Sequence, residues 1–506
     1  MVAKMEERAI SAMKKAIIIG GGLAGLVTAI KLATMDFKVS LFEKESKVGG
    51  SCRAIQLEGG YQFDLEPAPM MMPWVFERIF REAGSVVDPS LRFIPLPVNS
   101  RHFFYNKSIV DLTADGEAMA DQLTGFSPEN RTGFLDYLYA AQTIYEWVEE
   151  TLLASPTVGW TDLLRPGAVK STWKMKLLQP LDAFHRRFFD DARMLAMMNR
   201  YATYVGSSPY KAPAVVAMFA YLELVQGVSY VEGGNERLIE ALVRLAQSRG
   251  VELHTGCAVD EILLSDRKVT GVDAGGEKWE ADVVVSCIDP IQTRVSLLKD
   301  ERYAPDMRQL SCSQVVGLLG CKETYPVLHY HNYFYPREIE RYYIDLFEQR
   351  EWPDAPLIYV GNPCLYEADR TGSGCSLCVT VQVPASFGLK PGQFELYRER
   401  LLYLLERVWG LQGLSEQIEV EQWLGPLDLQ EMTGAYGGAL NGRVFHGFRA
   451  AIRQPLKDRK RQGLYYAGAG AYPGGDQAMA AISGLHTAHL IKLEEERKES
   501  KLTRLG

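Results

Sequence analysis

Three glycines, Gly20, Gly22 and Gly25, form a G-x-G-x-x-G pattern directly after the apolar run Ala16-Ile17-Ile18-Ile19. An acid, Glu43, ends the next apolar stretch, Lys38-Val39-Ser40-Leu41-Phe42. These residue types at this spacing suit the binding of a dinucleotide. Gly20 permits a tight turn, Gly22 lets backbone approach a pyrophosphate, and Gly25 allows a helix to pack closely. The helix N-terminus attracts the anion, and Glu43 stands about 20 residues on, where an acid reaches a ribose hydroxyl. The same residues also admit a plainer reading, a glycine-rich turn without ligand and a solvated Glu43.

Further glycines choose the nucleotide. Gly49 and Gly50 follow Glu43 closely, and near the far end Gly468-x-Gly470-x-x-Pro473 leads into an apolar helical stretch. That second loop lacks the dinucleotide fingerprint but offers backbone amides to a ribityl chain or a flavin's pyrimidine end. One dinucleotide site with two distant glycine-rich contacts suits an extended FAD better than NAD. The expected cofactor-binding set is therefore Gly20, Gly22, Leu23, Ala24, Gly25, Glu43, Lys44, Gly49, Gly50, Ser51, Gly468, Gly470, Gln477 and Ala478.

These residues need elements to hold them. Residues 16–42 read as strand, helix, strand, the helix carrying Leu26, Ile30 and Leu32. Gly233-Gly234 opens a helical pattern with Leu238, Leu242 and Leu245; "VELHTGCAVDEILL" and "ADVVVSCIDP" follow as strands returning to the same sheet. Residues 463–467 read as a last strand. This predicts an α/β fold: a Rossmann-like FAD-binding domain of residues 1–99, 230–300 and 425–506, with an inserted α+β substrate domain of residues 101–229 and 301–424. The charged tail "KLEEERKESKLTRLG" is expected to fray.

Composition excludes other classes. A chain of 506 residues, 47% hydrophobic and 23% charged, is globular and large enough for two domains. A net charge of −8 opposes nucleic-acid binding. The eight cysteines are scattered and no secretory signal precedes the first motif, so a cytoplasmic protein with buried thiols is expected, including at Cys375 and Cys378. No metal site is expected. No run reaches the 18 apolar residues of a spanning helix. The segment Ala212–Leu222 is either a core helix or an interfacial one; with the basic cluster Arg453, Lys457, Arg459, Lys460 and Arg461 it would dock the protein peripherally on the inner face of the cell membrane.

Six segments in order, "GGGLAGL", "FEKESKVGG", "FDLEPAPMMMP", "YVGSSPYKAPAV", "YVEGGNERLIEAL" and "LYYAGAGAYPGG", resemble the bacterial carotenoid desaturase and oxidase family of FAD flavoproteins. The likeness is strongest to its C30 branch of diapophytoene desaturases and diaponeurosporene oxidases, and it covers nearly the whole chain. It implies a fold of the glutathione-reductase and amine-oxidase type, an apolar isoprenoid substrate, Val259 beside the adenine, and Gly49, Gly50 and Ser51 along the pyrophosphate. A slot lined by Met70, Met71, Met72, Trp74, Met194, Met197 and Met198 would hold the polyene. The chain departs from the family pattern at Glu66, where glycine is usual, and at Asp476, in "AYPGGD". Both departures add an acid, so Glu66 and Asp476 are the candidate catalytic residues, in desaturation or terminal-methyl oxidation. A flavin amine oxidase of the same fold and a non-catalytic prenyl-lipid binder are the alternatives.

Overall fold

The computed structural model describes residues 13–66, 68–125, 128–155, 177–367, 370, 374–447 and 454–505. Strand Lys14–Ile19 carries three consecutive isoleucines, each no more than 5% exposed. A strand apolar on both faces belongs inside a parallel sheet with both faces covered. It lies at the centre of five strands, ordered Leu464–Tyr466, Val283–Ser286, Lys14–Ile19, Phe37–Phe42 and Glu252–His254. Every pairing in this sheet is parallel. Helix Leu23–Ala33 covers it and packs against helix Gln477–Leu505 so tightly that a Cβ at Gly484 would lie 2.7 Å from the Ala24 carbonyl oxygen.

The stretch expected as one strand after the helix Asn235–Ser248 is two. Glu252–His254 completes the parallel sheet, and Val259–Ser265 opens an antiparallel sheet with Lys268–Ala274 and Glu277–Glu280. The break falls at Gly256, whose φ of +65° strands rarely hold, and the Cys257 N–H then donates to the Glu43 carbonyl at 2.9 Å.

A seven-stranded sheet stands apart from the first. Its order is Ile418–Leu424, Cys312–Cys321, Cys375–Pro384, Ile358–Gly361, His331–Tyr335, Ser100–Phe104 and Ile109–Leu112. Its pairings are antiparallel except the one between His331–Tyr335 and Ser100–Phe104.

Three expectations are corrected. Ala212, Ala214, Ala217, Ala220 and Leu222 are all fully buried and only Val215 and Tyr221 are half-buried, so this segment packs as core. Within the basic cluster, Lys457 pairs with Glu494, and Arg461 with Asp458 and Asp300, Arg459 and Lys460 stay exposed, and Arg453 lies outside the described residues. The charged tail continues one helix of 29 residues, held early in its course by Lys457–Glu494 and Lys14–Glu495 ion pairs. Cys375 forms a disulfide with Cys364, whose Cα lies 5.6 Å away; Cys378 keeps the expected buried thiol, as do Cys52, Cys312 and Cys321. A pairing across 11 residues has no local signature. No helix among the described residues is long and apolar enough to cross a membrane, and none of their His, Cys, Asp and Glu residues cluster as a metal site.

Candidate active site

One cavity of about 800 Å³ opens along the C-terminal edge of the parallel sheet, where ligands of open α/β sheets bind. Gly20, with φ of +97°, makes the turn out of the central strand. Gly25 sits where a Cβ would lie 1.9 Å from the Gly20 carbonyl oxygen, so only glycine lets the helix start here. A Cβ at Gly22 would meet nothing nearer than the Gly50 Cα at 3.8 Å, which leaves that backbone open to the cavity. Gly22 caps the helix without any side-chain hydrogen bond, so the first-turn amides have no side-chain acceptor at that position.

Glu43 closes the second strand with both carboxylate oxygens engaged. Oε2 accepts the Gly21 N–H at 2.7 Å and Oε1 the Glu45 N–H at 3.0 Å. The acid thereby ties the glycine loop to its own strand and still lines the cavity.

Of the residues expected from sequence, Gly20, Gly22, Leu23, Ala24, Glu43, Lys44, Gly50, Ser51, Val259, Gly468, Gly470 and Gln477 line this one cavity, as do Glu66 and Asp476. Gly25, Gly49 and Ala478 stand behind its wall. Gly49 donates its N–H to the Gly21 carbonyl at 2.9 Å, joining two of the loops. Ala478 contributes an N–H to the Asp476 carboxylate.

The two acids sit in different surroundings. Burial pushes the Glu66 carboxyl above the usual range, opposed by a hydrogen bond from Ser51. Asp476 caps the last helix: its Oδ1 accepts the Met479 N–H at 3.0 Å. Its Oδ2 is buried without a partner among the described residues. Burial raises this carboxyl to about 6, backbone N–H donors of Met479 and Ala478 pull it down, and the charge of Glu66 raises it further. The two carboxyls therefore sense one another across the cavity. Gln477 adds two more buried atoms without a partner among the described residues, Oε1 and Nε2, at the same helix end. Unsatisfied buried polar atoms are costly and rare, and grouped on a cavity wall they fit a polar ligand.

The substrate side differs from expectation. Of the methionines and Trp74 expected to line a slot, only Met71 reaches the cavity; Met70, Met72, Met194, Met197 and Met198 are buried in the core. The wall is aromatic instead, with Tyr204, Tyr333, Tyr342 and Tyr359 beside Leu357. Sequence reasoning missed these tyrosines, and also the segment Cys287-Ile288-Asp289 that backs Gly20. The second had a signal, since it directly follows a strand of the nucleotide sheet.

Residues 23–492 match the flavin containing amine oxidoreductase family. The chain belongs to that family. It is an FAD-dependent oxidoreductase, and the site's glycine loops and orphaned polar atoms fit that cofactor. The chain is 32% identical to a 4,4'-diapolycopene oxygenase of Methylomonas sp, over 93% of this chain and 96% of that one. It is 29% identical to a 1-hydroxycarotenoid 3,4-desaturase of a Flavobacterium, over 95% and 99% of the two chains. A 4,4'-diaponeurosporene oxygenase of Staphylococcus haemolyticus is also 29% identical, over 95% and 98%. Among solved structures, cyclohexylamine oxidase from Brevibacterium oxydans superposes with a TM-score of 0.60 at 14% identity, covering 96% of this chain and 100% of that one. The flavin amine oxidoreductase fold is thus shared well beyond recognisable sequence.

Proposed function

We propose that this flavoenzyme oxidises a long apolar polyene of the carotenoid class, by terminal-methyl oxidation or desaturation of a diapocarotenoid. One observation carries the reading: a single cavity is lined by the dinucleotide loops, by Glu66 and Asp476, and by the tyrosines Tyr204, Tyr333, Tyr342 and Tyr359. The names of the relatives, carotenoid oxygenases and desaturases, set the substrate class. Separation of the five-stranded parallel sheet from the seven-stranded sheet, the two largest, supports the expected division into a nucleotide body and a substrate body.

The residues divide the work. Gly20, Gly22, Leu23 and Ala24, with Gly50 and Ser51, would hold the pyrophosphate, and Glu43 with Val259 the adenosine end. Gly468, Gly470, Gln477 and the capped helix end would hold the distal part. Bound there, FAD would supply a two-electron acceptor for a hydride equivalent from a substrate C–H bond. Glu66 and Asp476 face the same cavity and are the proton acceptors; burial raises both carboxyls toward neutrality, where proton exchange is efficient. The aromatic wall excludes water and orients the chain of the substrate. Because water carries such a substrate poorly, the enzyme collects it at a lipid surface, by a face other than Ala212–Leu222.

Expression in hosts making diapophytoene, neurosporene-type or lycopene-type polyenes, with pigment analysis, tests the substrate class; unchanged pigments in all three overturn it. Glu66→Gln keeps size while deleting the charge. Flavin reduction by substrate should slow by roughly 10²–10⁴ with FAD still bound. A full complement of flavin and an unchanged single-turnover rate would remove Glu66 from the mechanism.

A further inference from the structure

An ion pair lies where an apolar substrate gives no reason for one. Arg200 and Glu223 are both fully buried, and Arg200 Nη2 donates to Glu223 Oε1 at 2.6 Å. Charges so placed are costly to bury and persist when their environment uses them. The environment here is a nest of phenols. The guanidinium lies 4.6 Å from the centre of the Tyr201 ring and 4.5 Å from that of Tyr333. Its Nη1 donates to the Tyr204 hydroxyl at 2.6 Å.

The count of protons on these phenols leaves something over. The Tyr204 oxygen receives its strong bond from Arg200, while its own O–H has only long contacts, to Glu223 Oε2 at 3.3 Å and to the Tyr333 oxygen at 3.4 Å. Tyr333 has no nearer partner among the described residues than that same 3.4 Å contact. Glu223 Oε1 is already taken by Ser100 at 2.8 Å and by Arg200. Both phenols line the cavity, and an oxygen held by a guanidinium makes its own O–H a stronger donor. The Tyr204 ring is 5.6 Å from Phe219, whose Cζ is 3.7 Å from where a Gly475 Cβ would stand. Tyr204 is thus one aromatic ring away from the loop bearing Asp476.

We infer that Tyr204 and Tyr333 form a polar subsite that donates hydrogen bonds to an oxygen on the end of the polyene, an alcohol or an aldehyde. Arg200 and Glu223 are positioning residues that aim and polarise these donors. The subsite rests on the polyene reading and narrows it: the enzyme recognises an oxygen-bearing terminus and distinguishes it from the bare hydrocarbon. The same donors would ignore a hydrocarbon end, which offers no acceptor.

The test is binding rather than turnover. Dithionite-reduced holoenzyme is titrated with a C30 polyene hydrocarbon and with its terminal aldehyde, both in detergent micelles, following the polyene absorption. The wild type should bind the aldehyde about tenfold more tightly than the hydrocarbon, and the bound aldehyde should absorb further to the red. Tyr333→Phe, which keeps the ring and removes a hydroxyl with only a long internal contact, should abolish the preference and the red shift. Tyr204→Phe should do the same, read beside Tyr333→Phe because it also strips a partner from Arg200. Equal affinities in the wild type, a preference that survives both substitutions, or equal loss for both ligands overturns the subsite alone. Failure of either polyene to bind overturns the polyene reading with it.

Discussion

Asp476 is asked to do two things, and replacing it with Asn separates them. Asn caps a helix as well as Asp, so the bond to the Met479 N–H survives. What disappears is the charge on a carboxylate whose Oδ2 is buried without a partner among the described residues. In the native chain this group titrates at about 6, instead of the usual 3.8. The sign follows: between those two values the folded chain keeps a proton that the unfolded chain has released, so folding stability falls as pH rises through 4 to 6 and is flat above. Roughly two decades of proton affinity, at 1.36 kcal/mol per decade, make about 3 kcal/mol. Loss of the favourable charge at a helix N-terminus returns about 0.5 kcal/mol of that. Asp476→Asn should therefore be more stable than the wild type by about 2–3 kcal/mol at pH 8, with the gap closing below pH 4. Urea unfolding of flavin-depleted protein at several pH values measures it. A gap independent of pH, or a variant less stable at pH 8, would refute the assignment of an isolated buried carboxylate.

Other outcomes follow from the same geometry. Gly25→Ala places a methyl within 1.9 Å of the Gly20 carbonyl oxygen; it should cost about 1–3 kcal/mol and yield colourless protein, and normal flavin content would refute the close-packing role. Glu43→Ala should weaken FAD by ~1.5–3 kcal/mol, measured by titrating flavin fluorescence, while an unchanged affinity would confine Glu43 to bracing the Gly21 and Glu45 backbone. Flotation with liposomes should recover the holoenzyme with the lipid fraction, and protein that stays in the aqueous fraction with anionic and zwitterionic lipids alike would refute docking.

The nucleotide half of the site was legible because its chemistry is local. Gly20, Gly22, Gly25 and Glu43 lie within one strand, helix and strand, and each is there for a backbone reason that a residue type reveals. Glu66 and Asp476 stand far apart in the chain but were found as acids where a family pattern has none, and the cavity brings them together. The substrate end was not legible. Tyr204 and Tyr333 are ordinary aromatics separated by 129 positions, and Arg200 and Glu223 are of types that sequence reasoning places on the surface. The methionines failed as a slot because a flexible apolar side chain serves a core equally well. Ala212–Leu222 carried the same ambiguity between lipid and interior, and packing resolved it in favour of the interior.

The order of the parallel sheet sets when this protein can become an enzyme. Its central strand, Lys14–Ile19, is synthesised well before its neighbour Val283–Ser286, and the edge Leu464–Tyr466 later still. At about 5–20 residues per second, tens of seconds separate the first nucleotide loop from Gly468, Asp476 and Gln477, which complete the same cavity wall. From their own synthesis until Leu464–Tyr466 is made, the four buried residues of Val283–Ser286 have no edge strand beside them, a template for pairing with the wrong chain. A chain halted before the helix Gln477–Leu505 has the glycine fingerprint but lacks the cavity wall to which Gly468, Gly470 and Gln477 belong. Yield of active enzyme should depend on chaperone capacity and on free FAD at the moment of release, more than on the rate of initiation.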